Sequence, residues 1–155
     1  MLKTKQADEM AALYDEDFYE WTQRTAEQLE SGRVDEVDLE HVAEEIRDMG
    51  KSERRELKHR LAVLIAPILK WDAQPERRGP SWAATIRTQR IRLQLILEDN
   101  PSLKAHLRDS LHEIFELGVL IAVKQTSVPR RQFPAACPYS IDQLLSDYPD
   151  DSSLN

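Results

Sequence analysis

Apolar residues return every third or fourth position along most of this chain, the period of a helix that buries one face. Phe18, Trp21, Thr25 and Leu29 form the first such stripe, and Leu39, Val42, Ile46 and Met49 the second. A third runs through Leu57, Leu61, Leu64, Ile68 and Trp71, and a fourth through Ile86, Leu93 and Leu97. The fifth joins Leu103, Leu107, Leu111, Ile114, Gly118 and Ile121. No strand-length run alternates apolar with polar residues. The expected fold is all-α: an antiparallel up-down helical bundle of about five helices, with a short C-terminal helix on an extended arm.

Boundary signals refine this. Asp15 or Asp17 caps the first helix and Gly32 ends it, while Asp38 caps the second and Gly50 closes it. The third opens at Ser52 and contains Pro67, which predicts a kink near residues 63–67. Ser81 caps the fourth, and Pro101 opens the fifth as a first-turn proline. From Leu117 to Val123 the fifth helix is apolar on nearly every side, which predicts a central place for it. Residues 1–13 read as a flexible leader, 14–128 as the helical bundle, and 129–155 as a proline-rich arm within the same domain. That arm is pinned by Phe133 and Tyr139, and Ser140 and Gln143 have capping-box spacing for its short helix.

At 155 residues, 41% hydrophobic and 32% charged, the chain suits one globular domain. No apolar run reaches the roughly 18 to 20 residues that cross a bilayer. The lone cysteine, Cys137, excludes an internal disulfide, and no secretory signal opens the chain, so a cytoplasmic location is expected. The net charge of −7 is unevenly placed. Residues 1–50 carry five basic against fifteen acidic side chains, and residues 51–108 carry thirteen against six.

The elements "YDEDFYEW", "VDLEHVAEEIRDMGKSERREL", "LKWDAQPERRGPSWAATIRTQR", "NPSL" and "FPAACPYSIDQLL" resemble the domain of unknown function family twenty-nine. That family is bacterial, cyanobacteria-rich and all-α. The resemblance covers roughly residues 14–145. It implies an all-α fold and brings no activity, cofactor or catalytic residue.

Three acids precede a histidine by three positions: Asp38 and His41, Glu56 and His59, Asp109 and His112. Such pairs can chelate an ion from one helix face. His41 lies about 200° from Leu39 around the helix, and His59 about 200° from Leu57 and Leu61, so both point off the core stripes. Surface histidines are expected, with no metal site and no cofactor. Glu40, Glu44, Glu45 and Asp48 make one face strongly acidic. Arg87, Arg90 and Arg92 are its candidate counter-charges. Cys137 has no neighbouring histidine, and no nucleophile elbow, phosphate loop or zinc motif occurs.

The stretch from Lys70 to Arg90 remains. Pro75 and Pro80 stiffen a loop carrying Arg77 and Arg78, between Trp71 and Trp82. The tryptophans can clasp the turn between two helices, with Arg87 stacked on an indole, and the arginine pair can grip an anion. Arg77, Arg78, Arg87, Arg90, Glu44 and Glu45 are therefore the candidate ligand- or partner-binding residues, with none catalytic. The expected function is protein interaction, an adaptor of antitoxin-like type without catalysis. The alternative is nucleic-acid or anion binding through the basic middle segment, and a metal-dependent hydrolase ranks third. A protein partner is expected, a homo-oligomer is compatible with the pattern, and no membrane is involved.

Overall fold

The computed structural model describes residues 3–155, and among them every regular element is helical. The α-helices are α1 (Lys5–Glu16), α2 (Phe18–Glu30), α3 (Leu39–Ala73), α4 (Pro80–Asp99), α5 (Leu103–Asp109) and α6 (Leu111–Thr126). Short 3₁₀ turns occupy Val34–Glu36, Pro75–Arg77 and Arg130–Gln132, and a π-helical turn occupies Gln143–Asp147. The chain divides into two compact units, Met1–Ser52 and Glu53–Asn155.

In the first unit, most of the presumed leader is helix. Thr4 caps α1 by accepting from the Ala7 amide at 3.2 Å, and Ala7 and Met10 are buried. Thr4 Oγ1 also donates to the Asp35 carbonyl at 2.8 Å, a second tie of this segment. Asp17 caps α2, accepting from Glu20 N at 3.0 Å. Gly32 ends it in a left-handed conformation (φ 73°), where a Cβ would be strained. The amides of Gly32 and Arg33 reach back to the carbonyls of Leu29 (3.1 Å) and Gln28 (2.8 Å), the Schellman closure. Trp21 and Val37 of the same unit are buried too.

The second and third expected helices are one. α3 runs 35 residues through Gly50, Ser52 and Pro67 without a break. Gly50 keeps an ordinary helical backbone, and a Cβ there would meet nothing within 4 Å. Glycine stops a helix only where the chain turns left-handed, as at Gly32. Gly50→Ala should therefore strengthen this turn by about 0.5–1 kcal/mol, because alanine loses less backbone entropy. Amide exchange through residues 46–56 should slow roughly two- to fivefold, and faster exchange would show that the helix breaks there.

The second unit holds a continuous apolar core. Leu57, Leu61, Leu64, Ile65, Ile68 and Leu69 of α3 meet Ile86 and Leu93 of α4, and Leu107, Ile114, Phe115 and Val119 of α5 and α6. The fifth expected helix is two: Ser110 leaves the helical backbone at φ −104°, ψ 5°, separating α5 from α6. α6 is not apolar-covered on all sides, since Leu117 and Leu120 are more than half exposed. Its buried face is Ile114, Phe115, Gly118, Val119 and Ala122. α4 starts at Pro80 after Gly79, one residue before the expected Ser81 cap, because the fixed φ of proline already suits a first helical turn. The tail beyond α6 anchors Phe133, Tyr139, Ile141, Leu144, Leu145 and Leu154 in the same core. Ser140 and Gln143 form the reciprocal capping box, at 2.9 and 3.1 Å.

Candidate partner-binding surfaces

The loop between α3 and α4 is held by one of its arginines. Arg78 donates from Nε to the Trp71 carbonyl at 2.7 Å, and its guanidinium lies 5.1 Å from the centre of the Trp71 ring. Trp71 is buried and Trp82 packs on the edge of the core, so both indoles serve the joint. The cation over Trp82 is Lys70, at 5.1 Å, and not Arg87. Arg77 is exposed at the end of the Pro75–Arg77 turn.

Arg87 and Arg90 both turn toward the tail. Arg87 donates to Asn155 Oδ1 at 2.7 Å and to the Asp151 carbonyl at 3.5 Å. Arg90 is only 6% exposed. It donates to the carbonyls of Leu144 (2.9 Å), Pro149 (2.7 Å), Gln143 (3.3 Å) and Tyr148. Its fork of donors reaches carbonyls of the π-helical turn and of the two residues after it, Gln143 also accepting the Tyr148 amide at 2.8 Å. Burial holds its pKa below the usual arginine value, and the Asp151 and Asp147 charges work the other way. Arg90 thus holds the tail in place, and its donors are unavailable to an outside ligand. Arg92 is exposed.

A third tie was invisible in the sequence. The Asp72 carboxylate accepts the hydroxyls of both Tyr139 and Tyr148, whose rings stack at 5.7 Å. Burial raises Tyr139 well above the ordinary tyrosine pKa, with help from Asp72. Burial, then the hydrogen bond and charge of Asp72, push Tyr148 up to about 12, with Arg78 opposing. A raised folded pKa gives a contribution that is whole below about pH 10 and is lost as the pH climbs to about 12. Urea unfolding of wild type should therefore weaken across that window. Tyr148→Phe should show a shallower alkaline slope, and an unchanged slope would contradict the assignment.

In the first unit, Glu45 is half-buried and accepts the Tyr14 hydroxyl at 2.6 Å. That bond, with burial and the acid charges around it, pushes Tyr14 up to about 12. Tyr14 also stacks on His41 at 3.9 Å, and His41 Nδ1 lies 2.5 Å from the buried Asp38 carboxylate. His59 and His112 are exposed. Among the described residues no group of three His, Cys, Asp or Glu side chains is arranged to hold a metal. Glu44 is exposed. The counter-charges expected for this acidic face are engaged elsewhere, Arg87 and Arg90 by the tail.

The second apolar stripe is the larger departure. Ile46 is 63% and Met49 69% exposed, and Leu39 nearly half. Every residue from Ile46 to Glu56, about three helical turns, is exposed. A helix uncovered all round is ordinarily polar all round, held by ion pairs such as Lys51–Asp48 at 2.9 Å. Here it also presents two large apolar side chains, with Glu44, Glu45 and Asp48 and also Arg47 and Lys51 close to them in sequence.

Among the described residues the regular elements are helical throughout, with no strand and no helix long and apolar enough to cross a membrane, which defines an all-α protein. The family model for DUF29, a domain of unknown function, matches residues 13–148, and the chain belongs to that family. No curated protein and no solved structure matches it.

Proposed function

We propose that the chain is a protein-binding module of adaptor type, acting by contact and not by catalysis. The observation that carries this reading is the exposed stripe of Ile46 and Met49 on the acidic part of α3. Two large apolar side chains in water on an ordered helix are the usual anchors of a helix-mediated contact. The charges of both signs beside them, Glu44 and Asp48 with Arg47 and Lys51, would set the orientation of a partner of complementary pattern. An antitoxin-like role, in which a small acidic protein covers a partner's working surface, is the specific form of this reading.

Nucleic-acid binding is the weaker reading, because Arg90 is buried and Arg78 and Arg87 already hold internal partners. The test is affinity capture from the native host with wild type and with Ile46→Gln plus Met49→Gln. Removing two apolar anchors should weaken a complex about a hundredfold or more. A stoichiometric protein recovered by wild type and lost by the variant supports the proposal. Equal recovery by both, or no protein with either, overturns it.

A further inference from the structure

Three adjoining grooves follow α4, of about 610, 490 and 320 Å³. The first two share Arg87 and Asn155, and the second and third share Gln94, Leu145 and Ser146. Arg78 and Arg87 line the first, and Arg87 and Arg90 the second. Among the described residues none of these three guanidiniums is in ion-pair contact with a carboxylate. Their partners are main-chain carbonyls, one side-chain amide oxygen and an indole face. Arg90 stays committed to the carbonyls of residues 143–149, but Arg87 is held only by Asp151 and Asn155, so Arg87 with Arg78 suits an anionic ligand once those residues leave.

The end of the chain shows what kind of ligand fits. Leu154 is 3% exposed, its side chain inserted in the core beside the first groove. Asn155 accepts from Arg87, while residues 150–153 and 155 are exposed. Asp150 and Asp151 precede this anchor. The last six residues are thus held by one aliphatic side chain and one arginine, whereas residues 143–149 are locked by Arg90. We infer that the α4 groove is a peptide-binding surface for an acidic segment with an aliphatic anchor three or four positions beyond its acids, and that residues 150–155 occupy it as an internal competitor. A partner with that pattern displaces them, placing its acids against Arg78 and Arg87. This inference does not depend on the α3 stripe.

The test uses the labelled peptide Asp-Asp-Ser-Ser-Leu-Asn, added to full-length protein and to a chain ending at Pro149, with fluorescence anisotropy as the readout. The shortened chain should bind it saturably, and full-length protein about tenfold more weakly or worse, because its own tail competes at high effective concentration. Binding should fall as salt rises, and should be lost on Arg87→Ala in the shortened chain or on replacing the peptide's leucine by serine. Where the shortened chain fails to fold, full-length Leu154→Ser, which frees the tail without removing it, should bind the peptide instead. No saturable binding to either opened form overturns the inference. So does equal binding by wild type and an opened form, or binding that survives Arg87→Ala.

Discussion

Replacing Arg90 by alanine should lower the free energy of unfolding by about 3–5 kcal/mol, a large share of the roughly 5–15 kcal/mol that holds a domain of this size. Four main-chain carbonyls between Gln143 and Pro149 accept from this one side chain. Each buried acceptor left without a donor costs about 1–3 kcal/mol, reduced where water can enter the space that the guanidinium vacates. Loss of the arginine's aliphatic stem also leaves a void between α4 and residues 143–149. Arg90→Lys keeps the charge and recovers less than half of the loss, because an ammonium cannot span four acceptors. Urea unfolding measures the size of the effect. Amide exchange locates it: residues 141–155 should lose protection first. A loss below about 1 kcal/mol would mean that the tail is held by its apolar anchors alone.

The second large effect is expected at Gly118. An alanine in a helix is ordinarily worth about 1 kcal/mol over glycine, so a substitution in α6 should help on propensity alone. Packing reverses the sign. A Cβ on Gly118 would lie 2.6 Å from Ile65 Cγ2, 2.9 Å from Ile65 Cβ and 3.2 Å from the Ala62 carbonyl oxygen. Ile65 is β-branched and locked by its own helix, and Ala62 offers backbone, so neither can swing aside. Gly118→Ala should therefore cost about 2 kcal/mol, in the range of other overpacked cores. Ile65→Ala alone should cost about 2–5 kcal/mol through its cavity. Combined, the two should cost less than their sum by about 1 kcal/mol or more, since the added methyl enters the space that isoleucine vacates. Additive losses would mean that α3 and α6 do not meet at this point.

What could be read from the sequence follows from the range of the physics involved. Local signals were legible: Asp17 as a cap, Gly32 as a stop and the Ser140–Gln143 box all act within a few residues. Gly50 misled because glycine is compatible with a stop and does not require one. Ser81 misled because Pro80, its neighbour, starts the helix first. The Ile46 and Met49 stripe was legible as amphipathic but not as exposed. The same spacing serves a face that another helix covers and a face left open. For Arg87 and Arg90 the residue type was noticed and the partner missed. Arginine next to an acid-rich segment suggests ion pairs, yet the partners of Arg90 are carbonyls 53 to 59 positions away, which no side-chain pattern encodes. Asp72, Tyr139 and Tyr148 carried no local signal at all.

The functional reading rests on Ile46 and Met49 standing free in the folded protein. The unfolding free energy of Ile46→Gln plus Met49→Gln tests that directly. Surface substitutions away from packed features stay within about 0.5 kcal/mol each, and glutamine is a good helix former, so the double variant should unfold at nearly the wild-type urea concentration with the same slope. A loss of several kcal/mol, the mark of emptied core positions, would contradict the account, because the stripe would then be holding the fold together and not awaiting a partner.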